Sequence, residues 1–471
     1  MEAKIFFGDV EVGKTKIAEI YNPYNNKMVS LYPVCDASDA KESFKIAQKA
    51  FVDNKSIPLN QRILWLENVI EGLKRDQEDI AKTITDEVGK PISSSRVEVQ
   101  RCIETLRLSI SAAIEHHGET YNSDAMPSGR KTLSFFKRVP VGVAVLITPF
   151  NFPLNLIAHK LGPALISGNA VVLKPTPEAP LTAYKFAKLF IESKHRCPNA
   201  LSVVYGDAEV GSTLVQSAIP RVISFTGSVP VGKIIMQQAG IKKVSLELGG
   251  NAATFIDESA DLEVAAKKCA IGAFANSGQV CISLQRIYVH ENVADSFAIL
   301  LAQEAKELVV GDPYEEETFM GPLIHEEASL RAQNWVQSAI DEGAELLSGG
   351  KKDGKIFPPT VMNNVTDTMN IICEEVFAPI VSIVKVQNFD EALAKINNSP
   401  YGLQYSIFTN NLQNTQRAIE EFECGGVVVN DIPTIRFDIQ PYGGSKMSGI
   451  GKEGPKYALE EFTEIKSVVI C

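Results

Sequence analysis

An apolar run, Val141-Gly-Val-Ala-Val-Leu-Ile147, is followed by Thr148-Pro-Phe-Asn151 and by helical periodicity over residues 158–167. A short apolar run bounded by turn residues is typical of a strand that is buried on both faces of a sheet. A helix after it returns the chain to the starting edge, so that the next strand lies parallel to the first. This unit predicts an α/β fold built on a parallel sheet.

The alternation of strand and helix continues beyond this unit. Strands are predicted at 170–174, 201–205, 221–225 and 243–248, with a helix at 181–193. A second series of helix–strand units occupies residues 258–430. Such alternation predicts two doubly wound parallel-sheet domains, which bind ligands at the carboxyl ends of their strands.

The first part of the chain has a different pattern. Residues 1–36 are predicted to form short strands, and helical periodicity extends from there to about residue 118. Apolar residues at three-to-four spacing predict one of these helices over residues 60–78. Arg101 and Arg107 lie on the last helix of this region, and we expect them to be solvated unless one of them faces a cleft.

Composition limits the function. The chain has 471 residues, of which 45% are hydrophobic and 22% are charged, as in an ordinary multidomain globular protein. Its formal net charge of -11 argues against a nucleic-acid partner, which would favour a basic surface. The eight cysteines include no Cys-x-x-Cys pair, which predicts free thiols and no metal site. Without a signal-peptide core or a membrane-length apolar run, we expect a cytoplasmic protein with no membrane partner.

Cys281 lies in Asn276-Ser-Gly-Gln-Val-Cys-Ile-Ser283, among small and amide-bearing residues. Gly278 has no Cβ, so the backbone can turn sharply there and a substrate can approach closely. A thiolate is a strong nucleophile, but a cysteine taken at random is more often a buried core residue. Glu247 ends an apolar strand, where desolvation would raise its pKa towards the range of a general base. A capping or bridging role for Glu247 fits these facts equally well.

A glycine loop, Gly227-Ser-Val-Pro-Val-Gly232-Lys233, follows one of the predicted strands and matches part of a nucleotide-triphosphate loop. Ile234 comes next, where Ser or Thr would hold magnesium, so triphosphate hydrolysis is not expected. A glycine loop that leads into a helix can still place backbone N–H groups against a pyrophosphate. The match of residues 449–454 to the dinucleotide fingerprint is interpreted as chance, because no strand–helix unit surrounds it.

Five motifs occur in order: Thr148-Pro-Phe-Asn-Phe-Pro153, Leu246-Glu-Leu-Gly-Gly-Asn251, Ser277-Gly-Gln-Val-Cys281, Glu374-Glu-Val-Phe-Ala-Pro379 and Pro441-Tyr-Gly-Gly-Ser-Lys-Met-Ser-Gly449. Together they resemble the NAD(P)-dependent aldehyde dehydrogenase superfamily over essentially the whole chain. Each motif alone is weak, but five in order at fitting separations are highly specific. Within the superfamily, the chain is similar to non-acylating members of the lactaldehyde and non-phosphorylating glyceraldehyde-3-phosphate dehydrogenase kind.

The resemblance implies irreversible oxidation of an aldehyde to the free carboxylic acid. Cys281 would attack the carbonyl to give a thiohemiacetal, and loss of hydride would leave a thioester. Water activated by Glu247 would hydrolyse that thioester. Asn151 and the Cys281 backbone N–H would stabilise the oxyanion. Members that pass the acyl group to coenzyme A lack a glutamate at this position, so Glu247 favours hydrolysis.

The resemblance also implies NAD or NADP as the cofactor. The residues it assigns to cofactor binding are Thr148, Pro149, Phe150, Lys174, Gly227, Ser228, Gly232, Leu248, Glu375 and Phe377. NAD-preferring members often have a glutamate where this chain has Pro177, so NADP is not excluded. Glu178, one residue further on, slightly favours NAD.

The implied organisation places a dinucleotide-binding domain at 1–121 and 141–246 and a catalytic domain at 247–440. Oligomerisation strands at 122–140 and 455–471 would join a homodimer or homotetramer.

Arg436 is the candidate substrate residue, because lactaldehyde and glyceraldehyde-3-phosphate dehydrogenases have a similar Arg-x-Asp before the Pro-aromatic-Gly-Gly turn. Its guanidinium could grip a carboxylate or phosphate, or it could form a salt bridge with Asp438. We therefore expect a small hydroxy- or anionic aldehyde of the lactaldehyde kind. Succinate-semialdehyde and glyceraldehyde-3-phosphate types are alternatives. A cysteine hydrolase or thioesterase, and a non-catalytic nucleotide-binding scaffold, are alternatives from other classes.

Overall fold

The first of two large sheets contains the apolar run that follows residue 140. In the computed structural model, which describes residues Met1–Cys471, this sheet has eight strands and its five central strands are parallel. Their spatial order is Val10–Val12, Ile5–Phe7, Leu201–Val203, Ala170–Lys174, Val143–Ile147, Val222–Thr226, Lys243–Glu247 and Gly449–Ile450.

The second large sheet has seven strands, of which all but the first edge strand run parallel to their neighbours. Their order is Glu345–Ser348, Thr360–Asn363, Ile380–Val386, Leu284–His290, Ala252–Ile256, Gln404–Phe408 and Gly426–Val429. Two parallel-containing sheets confirm the predicted α/β class.

Helices cover these sheets, and none of them combines the length and apolar composition that a membrane span needs. Four helices precede the central strands of the first large sheet in the chain: Ala37–Asp53, Leu59–Arg75, Gln77–Val88 and Ile92–Glu115. Four more alternate with those strands: Asn155–Ile166, Pro180–Ile191, Ala208–Gln216 and Val229–Gln238. The remainder are Leu262–Phe274, Ala294–Glu307, Glu326–Asp341, Asn370–Cys373, Phe389–Asn397, Leu412–Glu421 and Pro455–Glu461.

The helix predicted over residues 60–78 is confirmed as Leu59–Arg75, but it ends earlier than predicted, because Asp76 separates it from a second helix, Gln77–Val88. The backbone of Asp76 leaves the helical region, with φ of -101° and ψ of 13°. Glu78 and Asp79 follow in the first turn of the second helix, where acidic side chains interact favourably with the helix dipole. The acidic run at this point is therefore the start signal of a new helix.

A third, antiparallel sheet consists of Thr463–Ile470, Leu133–Pro140 and Thr120–Asn122. All of Thr463–Ile470 pairs with Leu133–Pro140 of the same chain. The segment 455–471, predicted as strand, begins instead with the helix Pro455–Glu461, which has proline at its first position. Two short antiparallel pairs complete the sheets, Ile17–Tyr21 with Met28–Pro33 and Tyr401–Gly402 with Ser445–Lys446.

The two large sheets have separate hydrophobic cores. Side chains of the second sheet alternate between two clusters, so that Phe255 and Tyr288 lie in one and Ile256 and Ile287 lie in the other. This alternation is the period of a strand covered on both faces. The first sheet and its helices form one contiguous cluster of 69 buried residues, in which the run around Val145 is central. A cleft between two independently packed units follows from this arrangement.

A buried ion pair fixes the loop after the central strand. Lys90 contacts Glu98, and both side chains are about 1% exposed. The other oxygen of Glu98 accepts hydrogen bonds from the backbone N–H groups of Leu154 (2.9 Å) and Asn155 (3.1 Å), at the start of a helix. The Lys90 ammonium also lies 3.9 Å from the centre of the Phe152 ring. These contacts anchor the loop at Phe152 and at the start of the helix that follows it.

Replacing Glu98 by Gln should lower the free energy of unfolding by about 3–5 kcal/mol, because it leaves the Lys90 charge buried without a counter-charge. The matched control is Glu78→Gln, which breaks an exposed pair with Arg96 and should cost at most about 1 kcal/mol. Denaturant unfolding of both variants measures the difference. Equal losses would show that the buried pair has no special role in stability.

Candidate active site

A cleft of about 400 Å³ lies between the two large sheets. Most of the residues predicted to form the site line it: Pro149, Phe150, Asn151, Gly227, Ser228, Glu247, Leu248, Cys281, Glu375, Phe377 and Arg436. Thr148, Lys174 and Gly232 lie outside this lining. Gly232 leaves room for Leu248, since a Cβ there would lie 2.7 Å from a Leu248 methyl group. The structure therefore brings together residues that are up to 287 positions apart in the chain (Pro149 to Arg436).

The segment before Cys281 has an unusual backbone. Asn276, Ser277 and Gly278 all have positive φ, at 50°, 58° and 69°. This region is costly for residues with a Cβ and persists only where surrounding contacts hold it. Ser277 donates to the Gly321 carbonyl at 2.8 Å, and the Gln279 side chain accepts from the Ile324 N–H at 3.0 Å. These contacts fix the turn that brings Cys281 to the cleft.

The Cys281 thiol is partly exposed, and its Sγ lies 3.0 Å from the Tyr442 hydroxyl oxygen. Burial raises the pKa of Cys281 to about 11, although the Tyr442 hydrogen bond and the Arg436 charge both oppose that effect. The resting thiol is therefore protonated at neutral pH. Proton removal is part of any reaction in which its sulfur acts as the nucleophile.

Asn151 is positioned as a hydrogen-bond donor beside Cys281. Its Nδ2 donates to the Gln279 carbonyl at 2.9 Å, and its Oδ1 accepts from the Phe152 N–H at 3.1 Å. The oxygen and nitrogen of the amide are thus assigned by their partners, and the NH2 group faces the Cys281 loop. The Cys281 backbone N–H makes no hydrogen bond within the protein. Both donors can serve an oxyanion that forms at the cleft.

Glu247 is buried at the end of its strand, and neither carboxyl oxygen has a hydrogen-bond partner. Burial and then the charge of Glu453 raise the pKa of Glu247 well above its ordinary value. Gly443 makes room for this carboxyl, because a Cβ there would lie 2.6 Å from Glu247 Oε1. A carboxyl with a raised pKa and two free oxygens is suited to accept a proton from water.

Glu453 is an important residue that the sequence interpretation missed. It accepts hydrogen bonds from Lys160 Nζ at 2.7 Å and from Arg436 Nη2 at 3.1 Å. Burial alone would raise the pKa of Glu453, but the charges of Lys160 and Arg436 outweigh it and hold that pKa at about 2. Glu453 lies within the glycine pattern at 449–454, and its acidic side chain between glycines was the available signal.

Asp438 joins a second group of charges at the cleft wall. It accepts two hydrogen bonds from Arg101, at 3.0 and 2.6 Å, and lies 3.0 Å from His159 Nε2. Burial opposes ionisation, but the hydrogen bonds from His159 and Arg101 hold the pKa of Asp438 below its usual range. Of the two arginines on this helix, Arg101 is the one that faces the cleft, where Asp438 holds its guanidinium in the lining. Arg107 is exposed, as expected.

The opposite end of the cleft contains Glu375 and Phe377. Glu375 Oε1 accepts from the Gly250 N–H at 3.1 Å, and burial raises the pKa of Glu375 to about 7. A Cβ on Gly249 would lie 2.2 Å from the same carboxyl. The Phe377 ring meets the Phe150 ring edge to face at 6.1 Å. A carboxyl beside two aromatic rings provides the polar and flat contacts that a nicotinamide ribose and ring need.

Lys174 and Glu178 lie beyond this lining, Lys174 at the end of a strand of the first sheet and Glu178 in the turn that follows it. The Lys174 ammonium has no hydrogen-bond partner within the protein, and burial lowers the pKa of Lys174. Glu178 accepts from the Thr176 hydroxyl and lies 3.5 Å from His325 Nε2. A buried lysine without a partner fits the hydroxyl groups of a ribose, so these residues fit an adenosine cofactor.

Comparison with known proteins agrees with this geometry. Residues 10–468 match the model of the aldehyde dehydrogenase family. The chain is 43% identical over 453 residues to 3-sulfolactaldehyde dehydrogenase of Priestia megaterium, which covers 96% of this chain and 94% of the relative. It is 40% identical over 457 residues to lactaldehyde dehydrogenase of Methanocaldococcus jannaschii, with 96% and 97% covered.

Solved structures have the same fold. Glyceraldehyde-3-phosphate dehydrogenase GapN from Methanocaldococcus jannaschii, complexed with NADP, superposes with a TM-score of 0.93 at 38% identity. The superposition covers 97% of this chain and 100% of that protein.

Replacing Gly278 by Ala should disrupt the turn before Cys281, because a Cβ there would lie 2.3 Å from the Ala378 carbonyl oxygen. Gly240→Ala is a matched control, since Gly240 has a similar φ of +64° and open space around its Cβ position. The control should lose about 1–2 kcal/mol of unfolding free energy. Gly278→Ala should lose more and should also slow alkylation of Cys281 by iodoacetamide at least about tenfold. Native alkylation rates in Gly278→Ala would contradict this role of the turn.

Proposed function

Since this chain belongs to the aldehyde dehydrogenase family, we propose that it oxidises a small hydroxy aldehyde with an anionic end to the free acid. NAD or NADP is the proposed oxidant. The observation that carries this proposal is the meeting of Cys281, Asn151 and Glu247 at one cleft, with the Glu247 carboxyl left free of hydrogen bonds. That arrangement supplies a nucleophile, an oxyanion donor and a base.

In the proposed reaction, the Cys281 thiol loses its proton to solvent and the sulfur attacks the aldehyde carbon. The carbonyl electrons move to oxygen, where the Asn151 amide and the Cys281 N–H stabilise the charge. The nicotinamide supplies an acceptor for the hydride that leaves the same carbon, and a thioester remains on Cys281. Glu247 then takes a proton from water as the water oxygen attacks that thioester. The C–S bond breaks and the proton passes from Glu247 to the sulfur, which releases the carboxylic acid and the thiol.

The cofactor residues implied by sequence fit the proposed role. Glu375 and Phe377 would hold the nicotinamide ribose and ring, and Gly227 and Ser228 would meet the pyrophosphate at the start of helix Val229–Gln238. Lys174 would bind the adenosine ribose. Glu178 slightly favours NAD, because its charge acts on Lys174 and would repel a 2′-phosphate. The related GapN structure contains NADP, so both cofactors belong in the test.

The charges at the other end of the cleft support an anionic substrate end. Three cations lie here with two ionised carboxylates, so one positive charge is in excess. The cations are Arg101, Arg436 and Lys160, and the carboxylates are those of Asp438 and Glu453. Arg436 Nε is buried without a hydrogen-bond partner. One further acceptor would satisfy this nitrogen, and a negative one would balance the cluster.

The related proteins fit this chemistry. Two of them are a 3-sulfolactaldehyde dehydrogenase and a lactaldehyde dehydrogenase, and both names describe three-carbon hydroxy aldehydes. We therefore place lactaldehyde-like hydroxy aldehydes with a sulfonate or carboxylate first among the substrates. Succinate semialdehyde and glyceraldehyde 3-phosphate are the alternatives.

The assembly is also a proposal. The strand Thr463–Ile470 forms one edge of the three-stranded sheet, and Ile465 and Val469 are exposed on it. An exposed apolar edge strand favours pairing with a second chain. We propose a homodimer or homotetramer built on this sheet. The proposed domains are a dinucleotide-binding domain at 1–121 and 141–246 and a catalytic domain at 247–440.

An aldehyde panel tests the proposed activity. Each aldehyde is mixed with the protein and either NAD or NADP, and the absorbance of the reduced nicotinamide is followed. The aldehydes are lactaldehyde, 3-sulfolactaldehyde, glyceraldehyde 3-phosphate, succinate semialdehyde and propionaldehyde. The anionic hydroxy aldehydes should give the highest kcat/KM, and uncharged propionaldehyde the lowest. Cys281→Ala should abolish turnover but bind cofactor normally. A panel without any reduction of either cofactor would refute the proposal and favour a cysteine hydrolase.

Glu247→Gln should separate the two halves of the reaction. The amide keeps the shape of the carboxyl but cannot accept a proton, so thioester formation continues while hydrolysis slows by about 10²–10⁴-fold. Rapid mixing should then show a burst of reduced cofactor close to one equivalent per active site, followed by slow turnover. Steady-state rates like those of the unchanged enzyme would remove Glu247 from the mechanism.

A further inference from the structure

The hydroxyl of Tyr442 has one hydrogen-bond partner in the protein, and that partner is the Cys281 sulfur at 3.0 Å. Cys281 Sγ likewise has no other partner. Tyr442 is 6% exposed, and its ring packs with Val280, Ile282 and Leu403 around the thiol. The contact therefore lies inside a small apolar cluster, where a hydrogen bond is poorly replaced by water.

Tyr442 is held from two directions. Its backbone N–H donates to the Glu453 carbonyl at 3.0 Å, and its carbonyl accepts from the Glu453 N–H. The Arg436 guanidinium lies 3.7 Å from the centre of its ring, and the same arginine donates to the Glu453 carboxylate at 3.1 Å. One residue, Glu453, thus fixes both the backbone of Tyr442 and the cation above its ring.

A passive wall of the cleft needs only the aromatic ring, since the hydroxyl adds nothing to apolar packing. A buried hydroxyl without a partner would in fact be unfavourable. Burial raises the pKa of Tyr442 well above its ordinary value, so the phenol keeps its proton at neutral pH. A thiolate has no proton to give, so in the reactive state the phenol must be the donor.

We propose that Tyr442 is a catalytic residue whose hydroxyl donates a hydrogen bond to the Cys281 thiolate and holds that sulfur ready for attack. When the S–H bond breaks, its proton passes to solvent and the phenol retains its own. When the sulfur bonds to the carbonyl carbon, its negative charge moves to the carbonyl oxygen and the hydrogen bond weakens. The donor thus stabilises the nucleophile most before attack. This inference rests on the nucleophilic role of Cys281 in the proposed function.

The test measures thiol reactivity without aldehyde or cofactor. Iodoacetamide is mixed with the full-length protein over a range of pH, and carbamidomethylation of the Cys281 peptide is timed by mass spectrometry. The charged and titratable groups that act on this sulfur are those of Tyr442, Arg436, Glu375 and Glu247. The Tyr442→Phe variant removes the Tyr442 hydroxyl and leaves the other three groups unchanged. The midpoint of the alkylation profile should move up by about one to two pH units in Tyr442→Phe. At neutral pH the rate should fall about tenfold or more, and kcat/KM for aldehyde should fall with it.

Two controls accompany this variant. Tyr121→Phe removes an exposed hydroxyl that contacts Ser467 on the three-stranded sheet, and it should leave the profile unchanged. Cys281→Ala identifies the peptide signal, because Cys373 and Cys471 are also exposed to the reagent. Tyr442→Phe removes a single oxygen and keeps the ring, and thermal unfolding checks that the fold persists.

Coincident profiles for Tyr442→Phe and the unchanged protein, or a downward shift, would overturn the proposal and leave the ring as a wall. The upward shift in a protein that oxidises no aldehyde would refute the proposed function but keep the hydrogen bond. Normal aldehyde oxidation without a shift would refute the hydrogen bond alone.

Discussion

The ionised carboxylate of Glu453 is the interaction on which the chemistry of the cleft depends. It joins Lys160, on a helix of the first sheet, to Arg436, in the loop that follows the second sheet. A buried carboxylate is costly to desolvate, and two cations within hydrogen-bond distance offset that cost. Through its backbone, the same residue also bridges to Tyr442. The charge of Glu453 therefore draws partners from both halves of the cleft, as does that of Asp438 through Arg101.

This arrangement separates the two acids of the cleft by their environments. Glu453 takes the nearby cations and stays ionised, and its negative charge then raises the pKa of Glu247 further than burial alone would. The pKa values of these two carboxyls are thereby shifted in opposite directions. Glu453, with the lowered pKa, forms the ion pairs, and Glu247, with the raised pKa, is the better proton acceptor. Burial and the like charge beside it give Glu247 this property.

The sequence predicts the parts of this design that depend on local pattern. The apolar run at Val143–Ile147 and the strands after it are where periodicity placed them, because both faces of the sheet are covered. The charge network follows no local pattern, since the partners of Asp438 and Glu453 lie 337 and 293 positions away in Arg101 and Lys160. No spacing rule reaches across such distances. For this reason the sequence left open which arginine faces the cleft, and it gave no role to Glu453, which lies in a pattern interpreted as a chance match to the dinucleotide fingerprint.

Glycines explain how two carboxyls can be buried here and still be available. A Cβ on Gly249 would lie 2.2 Å from Glu375, and one on Gly443 would lie 2.6 Å from Glu247. Because glycine has no side chain, each of these two positions leaves space beside the neighbouring carboxyl, and no other side chain occupies that space. Substituting any larger residue would force the acid into a contact or out of the cleft. The glycine motifs of the sequence therefore do more than allow turns. They leave Glu247 without a donor from the protein and Glu375 with one, the Gly250 N–H, so that water and cofactor can become further partners.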